Sequence, residues 1–162
     1  MTRRTFENGY YHVYNRGFDK QIIFKNDADF ERFYKIIIKY SNLEKYKDIK
    51  IFSYSFMPNH FHFVISNPGA ELSSFIGNIQ NSYAKYFNLK NNRKGQLFEG
   101  RFKAKLIKDD DYLEKCLAYV NFNPIKHKIV DNIDNYKWTS YHQIDKSKIE
   151  KYKDLILDEL EF

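Results

Sequence analysis

Two histidines separated by a single residue are the side chains of this sequence best placed to hold a metal ion. His60 and His62 lie in a run of aromatic and β-branched residues, which is typical of a β-strand. Side chains two residues apart point to the same side of a strand, so the two imidazoles would project together. Neighbouring imidazoles are common ligands of divalent metals. The alternative is a pair of partly exposed histidines that bind nothing, and spacing alone does not decide between the two.

A tyrosine and an asparagine one helical turn apart are candidates to complete such a site. Tyr119 and Asn123 lie in a segment where Leu113, Leu117 and Val120 recur at helical spacing. At about 100° per residue, the two polar side chains fall on one shoulder of the apolar stripe. A tyrosine beside a metal-bound phosphate can act as a nucleophile, because tyrosine forms covalent intermediates. The spacing equally allows a tyrosine that only seals the edge of the core.

The elements that position these residues follow the order strand, helix, strand, strand, helix, strand. Hydrophobic periodicity predicts strands over residues 10–16, 51–57, 60–66 and about 101–106. It predicts helices that begin near residues 27, 71 and 110, the third ending at about Asn123 because Pro124 follows. This order is an α+β, ferredoxin-like βαββαβ antiparallel sheet with appended C-terminal helices, the last over 145–162. Both crossover helices cover one face of such a sheet, which leaves the other face open for a ligand.

The net positive charge favours a polyanionic partner, and the many aromatic rings could fill the core, stack on bases, or do both. Lys and Arg number 27 against 21 Asp and Glu, and aromatic residues make up 19% of the chain. So much apolar and aromatic surface excludes a disordered protein. The single Cys116 excludes a disulfide framework and suits the reducing cytoplasm. No apolar stretch approaches the roughly 18 residues of a membrane span, so we predict one domain over 1–162, with its core at about 9–142.

Basic residues near the fourth predicted strand are candidates to contact a phosphate backbone. Arg101, Lys103 and Lys105 alternate with apolar residues and would form a cationic stripe on one side of the strand. Arg93 and Lys94 lie in the preceding loop. The alternative is a solvated basic face that has no ligand.

Other polar clusters give weaker hypotheses. The consecutive carboxylates of Asp109–Asp111 raise the idea of a two-metal nuclease, but neighbouring positions diverge on a helix and capping explains them better. His127 and His142 are isolated and are predicted to be ordinary surface or boundary residues. His12 is predicted to be structural, because the sequence shows no ligand partner for it.

Five short blocks of the sequence resemble the REP-associated tyrosine transposases, within the single-tyrosine HUH transposases. The HUH name denotes two histidines around a bulky apolar residue, here His60-Phe61-His62. In chain order the blocks are Tyr11-His12-Val13 with Asn15-Arg16-Gly17, Met57-Pro58-Asn59-His60-Phe61-His62, Phe98-Glu99-Gly100-Arg101-Phe102-Lys103, Tyr119-Val120-Asn121-Phe122-Asn123-Pro124, and Trp138-Thr139-Ser140-Tyr141. Five blocks in the family's order make chance a poor explanation.

The resemblance implies a role for each matched residue. It implies that Tyr119 is the catalytic nucleophile and that His60, His62 and Asn123 bind a divalent metal ion, Mg²⁺ or Mn²⁺. Arg16, in the first block, joins the candidates for DNA contact. The resemblance further implies a metal-dependent single-strand DNA endonuclease and strand transferase. Such an enzyme cleaves beside short palindromic hairpins through a 5′-phosphotyrosine intermediate, as a monomer or a homodimer.

Two alternatives remain open. The first is a DNA- or RNA-binding domain that kept the fold and lost cleavage, against which the intact set of four site residues argues. The second is a replication or conjugation initiator, which shares this nucleophile chemistry. Such initiators usually carry a helicase or further domains, for which we expect no room in this chain.

Overall fold

An antiparallel four-stranded sheet with helices on both faces forms the protein. The computed structural model describes residues 4–69 and 71–158. The strands are β1 (Gly9–Arg16), β2 (Lys50–Met57), β3 (His60–Asn67) and β4 (Lys103–Ile107). The helices are α1 (Asp27–Ser41), α2 (Leu72–Lys90), α3 (Asp110–Lys126) and α4 (Lys153–Asp158). The predicted βαββαβ order is confirmed, and within the described ranges no helix is long and apolar enough to cross a membrane.

The register of the sheet decides which side chains share a face. The strand order is β2-β3-β1-β4, and every neighbouring pair is antiparallel. Tyr14 lies opposite His62 on one side and opposite Lys103 on the other, and His12 lies opposite Lys105. Because opposed residues point to the same side of a sheet, these five side chains lie on one face.

Helices α1 and α2 cover the other face and enclose the larger core. Phe61 and Phe63 of β3 point into it and contact Phe33 of α1, which packs against Tyr83 of α2. Each fully buried ring contributes about 2 kcal/mol by burial. Asn26 caps α1 as predicted, since its side chain accepts a hydrogen bond from the Asp29 amide at 3.2 Å.

A buried polar cluster fixes α3 on the face opposite α1 and α2. The Asn121 amide nitrogen donates to the Ser53 hydroxyl of β2 and to the Leu117 carbonyl, both at 2.7 Å. The Ser140 hydroxyl donates to the Asn121 amide oxygen, also at 2.7 Å. Asn121 is completely buried. It lies two residues from both Tyr119 and Asn123, so this cluster sets the position of the helical turn that carries them.

We expect Asn121→Leu to lower the free energy of unfolding by about 1 to 3 kcal/mol, because buried hydroxyls lose their amide partner. Urea denaturation would measure the change. Asn42→Leu, at the exposed end of α1, is the matched control and should change stability by less than about 0.5 kcal/mol. Equal unfolding free energies for the two variants would contradict the role given to the cluster.

The predicted end of α3 is wrong. The helix continues through Pro124 to Lys126 instead of stopping at Asn123. A proline removes its own backbone donor, but the neighbouring groups stay bonded here. The His127 amide donates to the Asn123 carbonyl, and the Ile129 amide donates to the Pro124 carbonyl, both at 2.9 Å.

The tail is not the single helix predicted over 145–162. Short 3₁₀ turns occupy Lys146–Lys148 and Glu150–Tyr152, and α4 forms only over Lys153–Asp158. The Asp145 side chain accepts a hydrogen bond from the Ser147 amide at 3.1 Å, which favours a turn over a helix at this point. Residues 159–162 lie outside the described residues. The buried Ile149 and Ile156 of the tail belong to a second, smaller hydrophobic core, which also contains Val120 and Phe122 of α3.

Candidate active site

A cavity of about 630 Å³ opens where β1, β3 and the C-terminal half of α3 meet. It lies on the sheet face opposite α1 and α2, as expected for a ligand site. Five of the predicted site residues line it, namely Arg16, His60, His62, Lys103 and Tyr119. The cavity therefore joins the predicted nucleophile, two predicted metal ligands and two predicted DNA contacts.

The two histidines of β3 line this cavity, and the asparagine of α3 lies behind its wall against one of them. The rings of His60 and His62 lie 5.2 Å apart between centroids, with their planes at 86°. The Oδ1 atom of Asn123 lies 3.3 Å from Nε2 of His60. Asn123 is completely buried, and its Nδ2 atom has no hydrogen-bond partner among the described residues. A cation could be bound by the buried amide oxygen of Asn123 and the imidazole nitrogen of His60 together, since the two atoms face each other.

This donor set fits a divalent metal ion. Imidazole nitrogen suits Mn²⁺, and an amide oxygen suits Mn²⁺ and Mg²⁺ alike. Across residues 4–69 and 71–158, no three His, Cys, Asp or Glu side chains are grouped to hold a metal. A cation here would therefore be held by two imidazoles and one amide, and its other positions would be left for water and a phosphate.

Burial keeps both histidines neutral, which is the state a metal ligand requires. Burial is the main cause that lowers the pKa of His60 to about 4, and the neighbouring His127 adds to it. Burial also holds the pKa of His62 well below its ordinary value, with His12 and His60 as further causes. Neither ring therefore has to lose the second proton of an imidazolium near neutral pH.

Tyr119 stands beside these rings. Its ring centroid lies 5.8 Å from that of His62 and 5.8 Å from that of His12, edge-on to both. The side chain is only 5% exposed although it lines the cavity. Asn123 follows it one turn later on α3, so the predicted shoulder of the helix does overhang the two histidines.

The predicted basic residues divide into two groups. Arg16 and Lys103 line the cavity. Lys105 lies two residues further along β4 on the same face, and its ammonium is 5.7 Å from the Tyr14 ring. These three form a positive border along one side of the cavity.

Arg93 and Lys94 are not among the residues that line the cavity. The Arg93 guanidinium donates to the Gln21 side chain at 3.1 Å and to the Gln96 carbonyl at 3.2 Å, so it holds its own loop together. Arg101 is exposed just before β4. Their predicted DNA contacts remain predictions, and Arg93 would have to give up these hydrogen bonds to make one.

His127 is exposed, as the sequence predicts, but it is not isolated. It lines the cavity, and its ring lies 4.7 Å from that of His60. The sequence did not reveal this neighbour because α3 continues past Pro124, which places His127 one turn beyond Asn123. The i, i+4, i+8 spacing of Tyr119, Asn123 and His127 is the signal that could have identified it. His142 is exposed and bonds the Tyr136 carbonyl, in agreement with its predicted role.

His12 has the partner that sequence reasoning did not identify. Its Nε2 atom lies 2.8 Å from Nδ1 of His62, and the two rings stack with centroids 5.1 Å apart. Burial lowers the pKa of His12 to about 3. Alternation along β1 places His12 and Tyr14 on the face that also carries His62, and this was the available signal.

A tight loop after β1 shapes the rim of the cavity. Arg16 forms an ion pair with Glu99, and the Glu99 amide donates to the Arg16 carbonyl at 2.9 Å. A Cβ atom at Gly17 would lie 2.1 Å from the Gln21 carbonyl oxygen, so only glycine fits there. The amide of Asn15 donates to the Gln80 side chain and to the Gly100 carbonyl. These contacts explain why the first and third sequence blocks occur together.

Comparison with known proteins identifies similar chains. Residues 5–123 match the family model of IS200-like transposases. A Haemophilus influenzae protein, provisionally named a REP-associated tyrosine transposase, is 33% identical over 57 residues. That alignment covers 35% of this chain and 32% of the relative, so the match spans about a third of the relative's length.

A solved structure shares the fold. A REP-associated tyrosine transposase bound to a REP hairpin superposes with a TM-score of 0.69 at 18% identity, over 88% of this chain and 82% of that chain. A provisionally named transposase from Deinococcus radiodurans R1 has a TM-score of 0.48 at 10% identity, over 70% of this chain and 90% of that one. The first of these likenesses supports the ferredoxin-like fold.

Proposed function

The chain belongs to the family of IS200-like transposases, and on this basis we propose that it is a metal-dependent single-strand DNA endonuclease and strand transferase acting through Tyr119. The observation that carries the proposal is the convergence of Tyr119, His60 and His62 at one cavity with a positive border, where Asn123 contacts His60 from the buried side. All four residues lie within the segment that matches the family.

His60, His62 and Asn123 would hold a divalent cation. When bound, such a cation supplies polarisation of the scissile phosphate and charge stabilisation at the leaving oxygen. The imidazole ligands favour Mn²⁺ on chemical grounds, whereas the preference for Mg²⁺ rests on the family resemblance. The burial of both rings keeps their nitrogen lone pairs available at neutral pH.

Tyr119 would attack the phosphorus of the scissile phosphodiester. The bond from its oxygen to phosphorus forms, and the bond from phosphorus to the 3′-oxygen breaks. The tyrosine proton leaves to solvent, and the departing 3′-oxygen takes up a proton. The products are a 5′-phosphotyrosine and a free 3′-hydroxyl. Because a phosphodiester is exchanged for another, a 3′-hydroxyl can attack the intermediate and rejoin the strand.

Packing prepares Tyr119 for this step. The rings of His12 and His62 hold it edge-on, and the Asn121 cluster holds the backbone of its helical turn. A nucleophile that is already oriented avoids much of the entropic cost of reaching an in-line position.

The substrate we propose is single-stranded DNA that carries a short hairpin with unpaired bases beside it. The solved relative with the same fold is bound to a REP hairpin. Arg16, Lys20 and Lys103 line the cavity and provide positive charge for a phosphate backbone. Phe18, between Arg16 and Lys20 in the chain, is 49% exposed and offers a ring on which an unpaired base can stack.

Charge reversal of Lys103 and Lys105 together should weaken hairpin binding and flatten its salt dependence. Each lost phosphate contact reduces the slope of log K against log salt by about 0.7 to 0.9, so we expect a loss of about 1.5 for the pair. Fluorescence anisotropy with a labelled hairpin between about 50 and 200 mM salt would measure it.

The matched control is Lys35→Glu with Lys39→Glu, which changes the net charge equally on α1, across the sheet from the cavity. This control should leave the slope within error of wild type. An unchanged slope in the Lys103 and Lys105 variant would show that the DNA backbone is contacted elsewhere.

A covalent-adduct assay tests the proposed function. The wild-type protein is incubated with labelled single-stranded hairpin DNA from the flanks of its own gene, with Mn²⁺, with Mg²⁺ and with a chelator. We expect a metal-dependent protein–DNA adduct whose peptide maps to Tyr119. Hairpin binding without any adduct in either metal would favour a recognition domain that has lost cleavage.

A further inference from the structure

Both candidate metal ligands of β3 are held by a neighbour at the same ring nitrogen. Nδ1 of His60 lies 2.7 Å from Oδ1 of Asn59, and Nδ1 of His62 lies 2.8 Å from Nε2 of His12. The amide nitrogen of Asn59 is directed at the Lys20 carbonyl, 3.4 Å away, which turns its oxygen toward His60. An amide oxygen only accepts, and each ring nitrogen of His60 faces one, since Nε2 lies 3.3 Å from Oδ1 of Asn123. The shorter contact, from Nδ1 to Asn59, favours the proton on Nδ1, which leaves a lone pair on Nε2 for a cation shared with Asn123.

The contact between His12 and His62 allows two proton arrangements. A neutral imidazole has one donor and one acceptor nitrogen. If His12 donates from Nε2, the acceptor is Nδ1 of His62, and His62 then carries its own proton on Nε2, where it blocks metal binding. If His62 donates from Nδ1, the acceptor is Nε2 of His12, and Nε2 of His62 keeps its lone pair.

We propose that His12 is a positioning residue that accepts a hydrogen bond from the Nδ1–H group of His62 and thereby presents Nε2 of His62 as a metal ligand. This proposal rests on the metal site proposed above. The second proton arrangement is the one that gives His62 the same tautomer as His60, so that both rings of the pair offer Nε2. Asn59 accepts a hydrogen bond from Nδ1–H of His60 in the same way as His12 accepts one from Nδ1–H of His62.

The surroundings of His12 fix its ring as well as its contact. His12 is completely buried on β1, and its plane lies within 18° of that of His62. Tyr14, two residues along the same strand, stacks on the His62 ring with centroids 5.7 Å apart and lies at a 33° tilt against the His12 ring, 4.9 Å away. Metal-bound histidines usually donate their second N–H to such a partner, which orients the ring and makes the ligand more basic.

Two substitutions separate the acceptor role of His12 from its packing role. His12→Phe keeps an aromatic ring but removes the acceptor, whereas His12→Gln keeps an amide oxygen near the position of Nε2. Two readouts are needed: the tautomer of His62 by ¹⁵N NMR on metal-free protein, and the Kd for Mn²⁺ by calorimetry. Circular dichroism checks that each variant folds.

We expect His62 of the wild-type protein to carry its proton on Nδ1. His12→Phe should move that proton toward Nε2 and raise the Kd for Mn²⁺ about 10- to 100-fold, the usual effect of losing such a partner. His12→Gln should restore the tautomer and most of the affinity. His142→Phe, at an exposed histidine away from the cavity, is the matched control and should change neither readout.

Specific outcomes would overturn the proposal. A wild-type His62 protonated on Nε2 would do so directly, even if His12→Phe failed to fold. An unchanged Mn²⁺ affinity in His12→Phe would do so too, and so would an equal loss in His12→Gln, because the ring and not the acceptor would then matter. If the tautomer and Mn²⁺ results are as expected but wild type forms no DNA adduct, the proposed function fails while the role of His12 stands.

Discussion

Replacing Tyr119 by phenylalanine should abolish the covalent protein–DNA adduct and reduce nicking by about three orders of magnitude or more, with hairpin binding nearly unchanged. The substitution removes only the hydroxyl. The ring still packs against His12 and His62, so the fold and the metal ligands stay in place. Loss of a nucleophile removes the covalent route entirely, which is why the expected effect is so large. Gel shift of labelled DNA under denaturing conditions measures the adduct, and anisotropy measures binding.

A second tyrosine of α3 provides the control for this experiment. Tyr112 lies two turns before Tyr119 and is not among the residues that line the cavity. Tyr112→Phe should retain the adduct at close to the wild-type level. An undiminished adduct in Tyr119→Phe would refute the assignment of the nucleophile, and peptide mapping would then show whether Tyr14, which also lines the cavity, is the attacking residue.

Local periodicity accounts for the side-chain placements at the candidate site that were predicted correctly. Alternation along β3 places His60 and His62 on one face whatever the rest of the chain does, and helical spacing places Tyr119 and Asn123 on one shoulder of α3. The Asn26 cap and the reversal between β2 and β3 are equally local. Since both pairs lie on regular elements, only the packing of α3 against the sheet had to be added.

The features that the sequence did not reveal depend on contacts between distant segments. His12 and His62 are 50 residues apart, and their contact follows from the register of β1 against β3. The Trp138-Thr139-Ser140-Tyr141 block could be recognised but not explained, because Ser140 acts by bonding Asn121 of α3. The end of α3 was misplaced because a proline was treated as a stop, although tertiary packing keeps that turn helical.

Removal of a proposed metal ligand should have the second large effect. We expect His60→Ala to reduce cleavage in Mn²⁺ or Mg²⁺ to the background seen with chelator, while hairpin binding stays measurable. Binding should persist because contacts between basic side chains and phosphates, which we propose for Arg16 and Lys103, supply most of the affinity for DNA. His62→Ala should give the same loss of cleavage. It should also destabilise the protein, because His62 is only 6% exposed and its ring stacks on His12 and Tyr14.

His60→Ala is therefore the cleaner variant, since that side chain is only half-buried. His142→Ala serves as the control for loss of an imidazole and should cleave like wild type. Calorimetry with Mn²⁺ separates the two stages: a variant that has lost both metal binding and cleavage but still binds the hairpin places the defect at the cation. Nicking at the wild-type rate by both His60→Ala and His62→Ala would remove the metal from the mechanism. Tyr119 would then have to act with protein groups alone, and the positive border of the cavity would be the remaining source of charge for the leaving oxygen.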